Sequence, residues 1–187
     1  MKELEDYIQR IYPISEKARQ ALLNICTEVH FKKNDIISNV GGTCKTIYFV
    51  KKGALRIFYF KGENDITDSM EFENAFVARV ESLVSGQPSR KGIQAIEDTE
   101  MLAINAEELF RLYDDYLEVE RFFKKVFLIA FMAMVNRIES IQFHGAETRY
   151  VNFINDHPDV LKRVPLKYIA SYLGITQVSL SRIRAKH

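Results

Sequence analysis

Val164-Pro165-Leu166-Lys167-Tyr168-Ile169-Ala170-Ser171-Tyr172-Leu173-Gly174-Ile175-Thr176-Gln177-Val178-Ser179-Leu180-Ser181-Arg182-Ile183-Arg184 reads as two short helices joined by a tight turn. Pro165 can open the first helix, whose first N–H needs no partner. Ala170 is small where two helices must approach closely, and Gly174 supplies the left-handed residue that ends helix one. Thr176 is the cap of helix two. Ile169, Leu173, Ile175, Leu180 and Ile183 form a small core. That core leaves Gln177, Val178, Ser179 and Arg182 on an exposed face at the start of the second helix, as in a helix-turn-helix whose second helix enters a major groove. The planar fork of Arg182 suits guanine O6 and N7, and Gln177 and Ser179 can read neighbouring edges. Lys167, Arg184 and Lys186, with the capping Thr176, are placed to hold phosphates.

Charge supports this reading. The 187 residues carry 26 Lys+Arg and 25 Asp+Glu, close to neutral overall. Residues 162–187 nevertheless hold six basic side chains (Lys162, Arg163, Lys167, Arg182, Arg184 and Lys186) and no acidic one, which leaves 20 basic and 25 acidic in the first 161. A basic segment on an acidic body suits contact with a polyanion, because Lys and Arg displace phosphate counterions.

Upstream, the pattern changes twice. Residues 3–11 and 15–25 read as short amphipathic helices separated by Pro13, with Ser15 as a cap. From Val29 to Ile104 come short β-rich runs divided by turn residues, such as Thr46-Ile47-Tyr48-Phe49-Val50 before Lys52-Gly53 and Ala54-Leu55-Arg56-Ile57-Phe58-Tyr59-Phe60 before Lys61-Gly62. Further runs lie at 66–72, 92–96 and 100–104, and strands so spaced suggest a compact antiparallel roll. A helix capped by Asn105 then runs to about residue 141. Leu112, Tyr116, Val119, Phe123, Val126, Ala130 and Ala133 recur along it at steps of four and three. Phe127, Phe131, Met134, Ile138 and Ile141 make a second such stripe. Two stripes mean cover from two sides: one by the roll, one by a second copy of the helix. The first stripe is assigned to the partner, although either fits. His144-Gly145-Ala146 is the expected hinge, followed by a small helix at 147–155.

The architecture is therefore α+β: an N-terminal roll with its helices over 1–105, a long dimerisation helix over 106–143 and a short, winged-helix-like DNA-binding unit over 146–187. In that order these parts resemble the Crp/Fnr superfamily of bacterial transcription regulators, with a cyclic-nucleotide-binding-like roll. The residues that carry the resemblance are Ile169-Ala170-Ser171-Tyr172-Leu173-Gly174, Ser179-Leu180-Ser181-Arg182 and Tyr48-Phe49-Val50-Lys51-Lys52-Gly53. The resemblance implies a homodimer on an inverted-repeat site in double-stranded DNA, RNA polymerase as a further partner, and a small-molecule effector.

Members that bind cyclic nucleotides hold the ribose with a Gly-Glu and the phosphate with an Arg-Ser/Thr-Ala. By that resemblance Glu73 stands for the ribose glutamate, but Phe72 replaces the glycine. The arginine position falls on Ser89, with Arg90 one residue late and so turned to the other face. The register argues against cyclic AMP and leaves the effector unknown. A haem stays open, since one axial histidine leaves little sequence trace.

Nothing points to an enzyme or a metal. His30, His144, His157 and His187 have no ligand spacing. Cys26 is assigned to the apolar face of a helix, and Cys44 to an exposed loop. Two cysteines 18 apart make neither a disulfide scaffold nor a zinc finger. The N-terminus lacks a signal-peptide core. The longest apolar run, Val126–Val135, is half the roughly 20 residues of a membrane span. A reduced, cytoplasmic protein is expected. The chain stops at His187, soon after the second helix, where members of the family it resembles often continue into further basic elements that help grip phosphate. The competing reading is a ligand-sensing module whose C-terminal hairpin binds protein instead of DNA.

Overall fold

The computed structural model describes residues 1–186; His187 lies outside them. Two helices, α1 (Lys2–Ile11) and α2 (Glu16–Asn24), lead into the roll. Ser15 caps α2 by accepting from the Ala18 N–H. The strands are β1 (Cys26–Phe31), β2 (Ile36–Ser38), β3 (Thr46–Lys52), β4 (Leu55–Lys61), β5 (Asn64–Glu71), β6 (Phe76–Val77), β7 (Gly92–Ala95) and β8 (Thr99–Asn105), with α3 (Val80–Ser85) between β6 and β7. They form two four-stranded antiparallel sheets, in the orders β1-β8-β3-β6 and β2-β7-β4-β5. Val50, Leu55, Val77, Ile93 and Met101 fill the space between them. The turn between β3 and β4 needs Gly53. Its φ is +103°, and an added Cβ would meet Asp98 O and Thr99 Cα at 2.8 Å.

The helix expected to run from Asn105 is in two pieces: α4 (Ala106–Asp115) and α5 (Leu117–Phe143). Tyr116 leaves the helical region (φ −134°, ψ 83°). Asp114 and Asp115 close α4 with negative charge at the end where the dipole opposes it. α1, α2 and α4 pack with the start of α5 against the β1-β8-β3-β6 sheet, in a cluster that includes Leu4, Leu22, Phe49, Leu102, Leu109, Val119, Phe122 and Phe123.

Two cysteine assignments change. Cys26 opens β1 and is not helical; its thiol donates to the Leu22 carbonyl, and burial pushes its pKa up to about 12. Cys44 is buried, with its N–H donating to Ser82 Oγ, so the loop placement was right and the exposure wrong. After the two-residue break at His144-Gly145, where a hinge is expected, come α6 (Ala146–Asp156), α7 (Val160–Arg163), α8 (Leu166–Tyr172) and α9 (Gln177–Arg184). Among the described residues no strand flanks the last two.

Candidate nucleic-acid interface and effector site

α8 and α9 make the hairpin read from sequence. Gly174 turns at φ +68°, Ile175 N–H closes the turn on the Ala170 carbonyl, and Thr176 Oγ1 accepts from the Ser179 N–H. Ile169, Leu173, Leu180 and Ile183 are buried. Gln177, Val178, Arg182, Arg184 and Lys186 are exposed. Ser179 is half-buried, with its hydroxyl 3.0 Å from that of Thr176, so the cap competes for it. Lys186 reaches Glu147 at 3.3 Å, and the Lys167 ammonium lies 4.8 Å from the Tyr168 ring centroid. The exposed side of α9 therefore carries Gln177, Val178, Arg182 and Arg184 as donors and apolar contacts without an acidic residue among them.

The opposite side of this unit packs on its own roll. Ala54, Met70 and Ile96 share one buried cluster with Val160, Val164, Tyr168 and Ile169. Arg163 donates to Glu73 and to Glu97. Ser171 Oγ accepts the N–H of Thr67 at 2.8 Å, satisfying a donor on the edge strand β5. The Arg56 guanidinium stacks 3.8 Å from the Tyr168 ring centroid. From α5, Arg137 donates to the Tyr172 carbonyl, and from α6 Arg149 donates to that of Leu173. The positions of Arg56 and Arg163 in this interface were not anticipated; the one signal was a lone charge in the apolar run Ala54–Phe60.

The stripes of α5 divide differently from the expectation. Val119, Phe123 and Val126 of the first stripe are buried on the protein's own helices and roll, while Ala130 and Ala133 are exposed. Leu112 lies on α4 and Tyr116 at the break. Phe127, Phe131, Met134, Ile138 and Ile141 are about half exposed along the length of the helix. The start of the first stripe is thus intramolecular, because the roll takes the face nearest α1 and α4.

The effector residues do not converge. Glu73 accepts from the Gly53 N–H and is engaged by Arg163. Ser89 is buried against the loop at Gly41-Gly42, with N–H to the Gly42 carbonyl, carbonyl to the Gly41 N–H and hydroxyl to Glu81. Arg90 is exposed. Arg79, unforeseen and buried, donates through Nη1 to the carbonyls of Asn39, Gly42 and Lys91. Its Nε has no partner among the described residues. A cationic side chain thus ties the Gly41-Gly42 loop to the segment carrying Ser89.

Residues 28–116 match the family described as the cyclic nucleotide-binding domain. A search of curated proteins finds no match. Solved structures do match. FixK2 from Bradyrhizobium japonicum aligns over 87% of this chain and 84% of its own (TM-score 0.75, 17% identity). A putative transcriptional regulator of the Crp/Fnr family from Eubacterium rectale aligns over 96% and 86% (TM-score 0.73, 21% identity). The c-di-GMP responsive global regulator CLP of Xanthomonas campestris aligns over 92% and 91% (TM-score 0.73, 14% identity). The chain is a cyclic nucleotide-binding-type roll joined through a long helix to a C-terminal helix-turn-helix. That is the fold of the Crp/Fnr superfamily, as the sequence resemblance implied.

Proposed function

We propose that the protein is a dimeric, sequence-specific DNA-binding transcription regulator whose roll answers to something other than cyclic AMP. The observation that carries this is the exposed, acid-free face of α9 on a chain of Crp/Fnr fold. The exposed apolar residues of α5 from Phe127 to Phe143 support the dimer: they include Leu128, Ile129 and Met132 beside the stripe Phe127, Phe131, Met134, Ile138 and Ile141, whose spacing is that of a coiled coil. Two α9 helices related by the dimer axis would meet successive major grooves roughly 34 Å apart, hence an inverted repeat.

α5 is also long and apolar enough to cross a membrane. Its first turns, however, are buried on the roll, and its far end is tied through Arg137 to α8, which packs on that same roll. A span would put about 30 Å of hydrocarbon between them. A cytoplasmic, non-enzymatic regulator fits this geometry.

The test is selection from random duplexes by the full-length protein, alongside sedimentation. An inverted repeat and a dimer support the reading. Failure to retain on heparin, with no enriched sequence, would favour a hairpin that binds only protein.

A further inference from the structure

The outer face of the β2-β7-β4-β5 sheet is only partly covered by α8. Beside the covered part lies an open cleft of about 360 Å³, walled by Ile36, Val40, Phe58 and Phe60. Its floor is Arg56, only 2% exposed, whereas Phe60 at the mouth is 57% exposed. The Arg56 Nη1 and Nη2 atoms each donate to one oxygen of the Asp65 carboxylate, both at 2.6 Å. Nε donates to Gln94, and Nη1 also to Thr67. The guanidinium plane rests against Phe58 on β4 and Tyr168 on α8.

This fork is built for a planar carboxylate. The carboxylate now in it comes from the second residue of β5, just past the hairpin turn at Gly62, and its side chain is 39% exposed. Asp65 thus enters from the solvent side, at the end of the β4–β5 ladder next to the hairpin turn. It uses the charge of the site but not its walls: Ile36, Val40 and Phe60 remain exposed. Besides Arg56 and Asp65, the polar side chains at the cleft are Asn39 and Gln94; its other walls are apolar.

The geometry points to a binding site for a small monocarboxylate with an apolar body, aromatic or medium-chain, which replaces Asp65 in the Arg56 fork and lies along Phe58, Phe60, Ile36 and Val40. The volume is in the range of ordinary small-ligand sites. Since Arg56 also stacks on Tyr168, such a ligand sits one side chain away from the DNA-binding unit.

Calorimetry on the full-length protein with benzoate, octanoate and acetate tests this without reference to DNA. Benzoate or octanoate should bind about tenfold or more tightly than acetate, which lacks the body. Asp65→Asn, by removing the competing charge, should tighten binding by a similar factor. Phe60→Ser, at an exposed position, should weaken it with the circular dichroism unchanged, and Arg56→Gln should abolish it. An Asp65→Asn protein that binds none of the three at millimolar concentration would overturn the proposal and leave Arg56–Asp65 a structural ion pair. Binding that ignores Phe60→Ser, or that treats acetate like benzoate, would overturn it equally.

Discussion

Both Nη atoms of Arg163 close on the carboxylate of Glu73, at 3.0 and 2.7 Å, across 90 positions of sequence. The same guanidinium takes a second carboxylate, Glu97, and lies over the Phe72 ring. This cluster joins α7 to the roll and is the polar part of the interface that holds the C-terminal helical unit.

Arg163→Ala should therefore loosen that unit. The side chains of Arg163 and Glu73 are about a quarter and a third exposed, so solvent screens the pair, and a loss of about 1–2 kcal/mol is expected. Limited proteolysis at His144–Ala146 should quicken. Burial raises the Glu73 pKa, but Arg163 and two backbone N–H groups outweigh it and hold the carboxyl below its usual range. A depressed folded-state pKa contributes stability above the ordinary glutamate pKa and loses it as pH falls through the folded value. Docking should loosen only in acid, and Glu73→Gln should flatten that response. Equal proteolysis of wild type and Arg163→Ala would count against the clamp.

The two stripes of α5 give opposite variants. Val126 is 8% exposed within the roll cluster, and Phe131 is 47% exposed. Val126→Asp should cost several kcal/mol and unfold the protein, since an unpaired charge would be buried. Phe131→Asp should leave the circular dichroism unchanged and convert a dimer into a monomer in the ultracentrifuge. A folded Phe131→Asp dimer would move the seam elsewhere.

These contrasts show what the sequence can carry. The α8–α9 hairpin was legible because Gly174, Thr176 and Ala170 act within one turn of their own positions. The roll was legible from its strand spacing. The two stripes were visible as periodicities, but a period cannot say which face the roll takes: Val119, Phe123 and Val126 of the first stripe pack on the roll and its helices, whereas Ala130 and Ala133 stay exposed. The break at Tyr116 carries neither Gly nor Pro and left no mark. Arg56, Arg79 and Arg163 were invisible as functional positions because their partners are set by tertiary packing. Glu73 was matched by its neighbours in sequence, although α3 and Arg79 lie between it and Ser89.

Arg79 leads to a prediction about the effector. A cyclic nucleotide would need a phosphate-binding arginine at Ser89, whose own groups are committed to the Gly41-Gly42 loop and Glu81. Calorimetry with cyclic AMP should show no complex at micromolar concentration. Arg79→Ala should destabilise the roll, because three carbonyls lose their donor, at about 1–3 kcal/mol in all once water enters. A tight complex of one nucleotide per subunit would contradict the closed-loop reading.

Glu71 should shape the neutral pH range. Burial pushes its carboxyl up to about 7, with Asp68 adding to the shift and a Ser69 hydrogen bond opposing it. The folded state therefore holds this proton more tightly than the unfolded chain, and stability should fall as pH rises from about 5 to about 8. The residue keeps part of its surface in solvent, so about 1–3 kcal/mol is expected. Urea melts of Glu71→Gln should lack this slope. If the variant keeps it, another group is responsible.

The last prediction concerns base readout. Arg182 is exposed on α9 with Gln177 one turn before it, and nothing acidic lies on that face. An exposed guanidinium at this place can take guanine O6 and N7 together. Arg182→Ala should cost about 1–3 kcal/mol per half-site and relax preference at one base pair. Ser179 should contribute less, because its hydroxyl is shared with Thr176. Lys186 is a different case: an exposed ammonium shared with Glu147. Lys186→Ala should weaken all duplexes alike and reduce the salt slope by about one unit, less whatever the Glu147 pair already withholds. Selections run on wild type and both variants separate the roles. If Arg182→Ala returns the same consensus as wild type, Arg182 holds a phosphate and the reading of the bases passes to Gln177 and Val178.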